Sequence, residues 1–188
     1  MRPLALLLML LWPAMLVQAQ HHRSDALDDV AQHVPMATVV VLHACGVDGR
    51  SAGWGRLALS AGAAYVLSAA TTYSLKHLVD ERRPDHSDRR AFPSGHATMA
   101  FAGATAMRHE YGHLSPWVTV GGYTLAALTA ADRVRLDRHY VHDVLAGATI
   151  GAGMTELVYY INKRYGRARE NALTVVPTPD GLALALTF

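Results

Sequence analysis

Residues 91–101 read AFPSGHATMAF, and the junction inside this stretch decides how the chain folds around it. Pro93 and Ser94 end an irregular segment, and an Ala-rich apolar run starts directly behind them. Ser94 carries the short side-chain oxygen that an N-cap uses to bind one of the first free N–H groups of a helix. The run beyond it lacks the strict alternation of a strand, so it is expected to be helical. His96 then falls in the first turn, where unpaired N–H groups and the positive end of the helix dipole point outward. A phosphate can be held at such a place, with an imidazole beside it to carry a proton. A helix cap needs no such function, and on these residues alone the two readings balance.

The same kind of run recurs along the chain. Residues 34–45, 57–78, 97–107, 117–131 and 144–161 are apolar and rich in Ala, Leu, Thr and Gly, with lengths that favour helices. Gly62, Gly103, Gly147, Gly151 and Gly153 sit inside them, and small residues let helices approach closely, as in membrane bundles. The expected fold is therefore all-α, an antiparallel bundle of about five core helices within residues 20–165. Few of the runs have a clean polar face, which points to a bundle embedded in a membrane. Two features oppose that reading. Glu156 lies inside the last run, and residues 34–45 and 97–107 fall short of the ~20 residues a span needs. Arg50, Arg56, Arg108, Lys163, Arg164, Arg167 and Arg169 gather at one set of helix ends, the cytoplasmic ends by the positive-inside rule.

The 188 residues suit one domain, 51% hydrophobic and only 17% charged, with a net charge of +2 that argues against nucleic acid as a partner. A single cysteine, Cys45, excludes an internal disulfide and is expected to be a small buried apolar residue. Residues 1–19, with Arg2 ahead of an apolar stretch and Ala19 near its end, read as an export signal, or else as an uncleaved anchor. Residues 166–188 form a tail in which LTVV, a Pro-Asp-Gly turn and LALALTF read as a hairpin.

Three clusters carry the chemistry. Lys76 and Arg83-Pro84 follow the second apolar run, and Pro84 is expected to stop that helix at Arg83. Pro93-Ser94-Gly95-His96 opens the third run, with Gly95 giving a ligand access to backbone N–H groups. Arg133 and His139-x-x-x-Asp143 bridge the fourth and fifth runs. If His139 opens the last helix, Asp143 lies on the same face and orients the imidazole, while His142 points elsewhere. Taken singly, each cluster is equally a charged helix end, a cap or a surface His–Asp pair. In an up-and-down bundle all three meet at one end, where cations, a helix N-terminus and two histidines suit a tetrahedral dianion.

K-x6-R-P, P-S-G-H and R-x5-H-x3-D, in this order between residues 57 and 161, resemble the type 2 phosphatidic acid phosphatase (PAP2) family. That family shares its site with vanadium haloperoxidases and class A acid phosphatases. The resemblance implies a nucleophilic His139 oriented by Asp143, and His96 as the proton donor to the leaving oxygen. It implies that Lys76, Arg83, Ser94, Gly95 and Arg133 bind the phosphate, with neither metal nor cofactor. It further implies a phospholipid or isoprenoid phosphate substrate and a bacterial inner-membrane enzyme whose site faces the periplasm. Asp132 departs from the family, which commonly has serine there, and its carboxylate is expected to neutralise Arg133 in part. Two alternatives stand beside this reading. One is a periplasmic acid phosphatase for soluble esters, free or outer-membrane-associated; the other is a histidine-rich metal-binding membrane protein using His139, His142 and Asp143.

Overall fold

The computed structural model describes residues 29–170, 174–178 and 181–185. The signal segment expected at residues 1–19 lies outside them. After a helical turn at residues 29–31 come α1 (Val34–Ala44), α2 (Trp54–Leu57), a π-helical turn (Ala58–Gly62) and α3 (Ala63–Leu78). Three longer helices follow: α4 (Gly95–Tyr111), α5 (Pro116–Arg135) and α6 (Val141–Glu170). In the tail, β1 (Thr174–Thr178) pairs antiparallel with β2 (Gly181–Ala185). The apolar runs thus fold as helices, each within a few residues of the stretch that encodes it.

Helix α4 is the centre of the bundle, and α1, α3, α5 and α6 all pack on it. Helices α3 and α5 run antiparallel to α4, joined to it through residues 79–94 and 112–115, and α6 runs parallel to it. What lets α6 lie so close is glycine. A Cβ on Gly147 would stand 2.4 Å from the Ser94 carbonyl oxygen, and one on Gly151 only 2.1 Å from that of Thr98. Gly103 plays the same part toward α1, where a Cβ would meet the Met36 amide at 2.7 Å. Gly153 faces open space and Gly62 meets nothing nearer than 4.0 Å, so these two make no close approach.

Much of the interior is small and hydroxylic, around a core of Val39, Leu57, Met107 and Tyr111, while many large apolar side chains face outward. Ala97, Thr98, Ala102, Ser68 and Thr155 are fully buried, whereas Val66, Leu67, Trp117, Val120, Leu145 and Leu157 are exposed. Several buried hydroxyls are satisfied within their own helices: Ser68 donates to the Ala64 carbonyl, Thr105 to Phe101 and Thr155 to Gly151. Helix α6 is long and apolar enough over Val141–Tyr165 to cross a membrane. Glu156, the carboxylate out of place in that run, is engaged by Arg108 and by His109 of α4.

Two expectations are corrected. Helix α3 ends at Leu78 rather than Arg83, because Val79 turns extended and Glu81 bridges to Arg90, pulling the chain off the helix axis before Pro84 is reached. Cys45 is exposed, since it caps α1 beyond the last turn that packs on α4.

Candidate active site

The C-termini of α3 and α5 and the N-termini of α4 and α6 meet at one end of the bundle. Lys76 sits in the last turn of α3, its stem against Gly95, and its Nζ donates to the Arg90 carbonyl at 2.8 Å. Arg83 stands in the loop between α3 and α4, its Nε 2.9 Å from Asp88. Ser94 caps α4 as expected, its Oγ accepting the Ala97 N–H, so Gly95 and His96 open the helix. Arg133, in the last turn of α5, is buried. Two ties join the loops: Asp85 N–H donates to the Asp137 carbonyl at 3.1 Å, and Arg138 pairs with Asp85 at 2.9 Å. These hold Arg83 and His139 on facing sides of the same space.

His139 does not open α6. It lies two residues ahead of that helix, and Asp143 is in the first turn, where its Oδ2 accepts the Tyr140 N–H at 2.8 Å. This back-bond to the N-cap residue is one half of a capping box, and it turns the carboxylate toward His139. The His139 Nδ1 is 3.5 Å from Asp143 Oδ2, within ion-pair reach but longer than a hydrogen bond. Asp143 is fully buried, and its carbonyl accepts the Ser94 N–H at 3.0 Å, locking the two helix starts together.

The His142 expected to point elsewhere instead reaches the other oxygen of Asp143 at 3.2 Å and Glu81 at 2.7 Å, because Glu81 on the α3–α4 loop draws it over the helix start. Among the described residues, Glu81, His142 and Asp143 are the set whose ligand atoms cluster tightly enough for a metal; His139 is not in it. The Asp132 carboxylate pairs with Arg135 at 2.6 Å, one turn along the helix surface.

The electrostatics of this end separate His139 from an ordinary imidazole. Burial, together with the nearby Lys76, Arg83 and Arg133, pushes it down from 6.5 to about 3, with only a backbone hydrogen bond at Ala91 working the other way. The ring is therefore neutral, with a lone pair to offer, throughout the physiological range. Because the folded state binds this proton less tightly than the unfolded chain, the resulting stability is complete above pH 6.5. It is lost as pH falls from there toward 3. At pH 5 the loss is about 2 kcal/mol. Thermal unfolding in detergent at pH 7.5 and 5 should therefore show a smaller acid-induced drop in Tm for His139→Asn than for wild type.

The family model for the PAP2 superfamily matches residues 57–167, more than half of the chain and all three clusters. The chain belongs to the PAP2 superfamily. It is 38% identical over 136 residues to a lipid A 1-phosphatase of Porphyromonas gingivalis, which covers 72% of this chain and 31% of that protein. It is 32% identical over 121 residues to a decaprenylphosphoryl-5-phosphoribose phosphatase of Mycobacterium tuberculosis, covering 60% of this chain and 65% of that one. The chain thus aligns with under two thirds of the length of either relative. Two solved structures are similar in fold. A transmembrane phosphatidylglycerolphosphate phosphatase from Bacillus subtilis has a TM-score of 0.57, 22% identity and coverage of 84% of this chain and 87% of that one. Aquifex aeolicus LpxE has a TM-score of 0.55, 20% identity and coverage of 81% and 94%.

One residue at this end of the PAP2 fold escaped the sequence reading altogether. Asp29, in the polar segment before α1 and outside the matched residues, places its Oδ1 2.8 Å from His96 Nε2. No local pattern marks it, because its partner is 67 residues away.

Proposed function

We propose that this protein is a metal-independent phosphatase that cleaves a lipid phosphate monoester or diphosphate through a phosphohistidine on His139. The observation that carries the proposal is the gathering of Lys76, Arg83 and Arg133 around a buried, neutral His139. Three fixed cations, with Ser94 and the Gly95 N–H at a helix start, match the equatorial oxygens of a phosphoryl group in transfer. A ring nitrogen of His139 attacks phosphorus, the P–N bond forms, and the ester P–O bond breaks. His96 gives its proton to the departing oxygen, then takes one from the water that displaces His139 and releases inorganic phosphate. Asp143 orients His139 and balances the charge that develops on it.

A lipid substrate is supported by the outward-facing apolar side chains, by the spanning length of α6, and by relatives whose names specify lipid A and a decaprenyl compound. The opposite end of the bundle holds a cavity of about 1100 Å³ lined by Arg50, Arg56 and Lys163. With that basic end in the cytoplasm, the site faces the periplasm.

The test is phosphate release from phosphatidic acid in detergent with a chelator present. Wild type is expected to release phosphate at a rate that the chelator changes by less than about twofold, since no step uses a metal-bound water. Orthovanadate, which adopts the five-coordinate geometry of the transfer, is expected to inhibit competitively. An activity lost to the chelator and restored by a divalent ion would overturn the mechanism.

A further inference from the structure

Residues 29–44 run parallel to α4, and their register is fixed at several points. Gly103 admits the Met36 backbone where any side chain would collide with it, and the Tyr111 hydroxyl donates to the Val39 carbonyl. His33 binds the Tyr65 hydroxyl of α3 at 2.5 Å. The 67 residues that separate Met36 from Gly103 also separate Asp29 from His96, so the packing that seats α1 delivers Asp29 to the histidine.

The contact has chemical content. An ionised carboxylate can only accept, so the 2.8 Å contact requires the hydrogen on His96 Nε2. That fixes the ring and leaves Nδ1 as the nitrogen that exchanges a proton. Burial, with Arg133 from α5 and Arg83 from the α3–α4 loop, holds the His96 imidazole below its usual value, and the bonded Asp29 works the other way. Cations disfavour a charged imidazole and a bonded carboxylate favours it. Asp29 is the residue that counters them, and its own side chain is more exposed than that of His96, at 62% against 18%.

We propose that Asp29 is the positioning carboxylate of His96, holding Nε2 so that the imidazolium donates its Nδ1 proton to the leaving oxygen. This rests on the phosphatase reading above. Both histidines stand near Arg83 and Arg133 and are held below the free value by burial and these cations, but His96 has a hydrogen-bonded carboxylate working the other way, which suits it to carry the proton while His139 attacks.

The variant is Asp29→Asn in the full chain in detergent. For phosphatidic acid, with its poor alkoxide leaving group, kcat/KM is expected to fall about 10–100-fold, part of the 10²–10⁴-fold that a positioned general acid contributes. The alkaline limb of kcat/KM, which follows the acid in the free enzyme, is expected to move about one unit to lower pH. For p-nitrophenyl phosphate, whose leaving group needs no proton, the loss is expected to stay below about threefold. Asp29→Glu should recover most of the lipid activity. A merely structural role would depress both substrates alike and leave the limb in place, and that result would overturn the proposal. So would unchanged or raised activity, the latter marking Asp29 as an obstruction of the site.

A second measurement needs no turnover. NMR titration of the imidazole assigned by His96→Gln should show its midpoint falling by about one unit in Asp29→Asn. If wild type released no phosphate, the phosphatase reading would fail while this titration still judged the pair. An unmoved midpoint would overturn it.

Discussion

His139→Ala is expected to lower phosphate release from a lipid phosphate by roughly 10⁴-fold or more, the scale seen when a nucleophile is removed from a catalytic unit. The expectation follows from the ring's environment. His139 is buried among cations, stays neutral, and has its Nδ1 side toward Asp143. His96 stands near two of the same cations but is bonded to Asp29 rather than to Asp143. The nearest in sequence, His142, is exposed and engaged with Glu81 and Asp143. Substrate should still bind, because Lys76, Arg83 and Arg133 remain, so the loss should appear in kcat with little change in KM. Rapid alkaline quench of a reaction with radiolabelled substrate should trap acid-labile label on wild type and none on the variant. A variant that retained more than about a tenth of the wild-type rate would remove His139 from the nucleophile's role.

The second large effect is on the fold. Gly151→Val is expected to cost about 4–5 kcal/mol or more, an exceptional loss for one substitution and comparable to the whole stability of many domains. The atoms that a Cβ would strike are the Thr98 carbonyl oxygen at 2.1 Å and the Ala102 amide at 2.9 Å. Both are backbone inside α4 and cannot rotate aside. Helix α6 would have to back away, and with it Asp143, whose carbonyl now accepts the Ser94 N–H. The site would open along with the core. Thermal unfolding in detergent should show little folded Gly151→Val, whereas Gly153→Ala, facing open space two residues on, should match or exceed wild type by up to about 1 kcal/mol. Equal Tm values for Gly151→Val and wild type would mean that this seam does not hold the bundle.

These two residues illustrate what is written locally in the chain and what is not. The apolar runs, the Ser94 cap and the three clusters are visible in the sequence because helix periodicity and capping act over a turn or two. Order alone then brings Lys76, Arg83, Ser94, Gly95, His96, Arg133, His139 and Asp143 to one end, since each connection reverses the chain. Gly147 and Gly151, four residues apart, mark a close-packed face of α6, but the sequence offers Gly153 and Gly62 with equal weight. Only the packed partner separates them. Glu156 reads as an objection to a membrane helix until Arg108 and His109 of a neighbouring helix supply its partners.

The amino-acid sequence by itself determined a helical bundle and the set of residues gathered at one end of it. The tertiary structure decided which residues touch. It placed His139 ahead of α6 rather than on it, gave Asp132 to Arg135, let His142 reach Asp143, and brought Asp29 to His96. The reason is one of range. Caps, turns and apolar faces are set by neighbours within a few residues. The pairing of side chains 67 positions apart depends on how far one helix slides along another, and here that distance is set by a backbone fitting into the space left by a glycine.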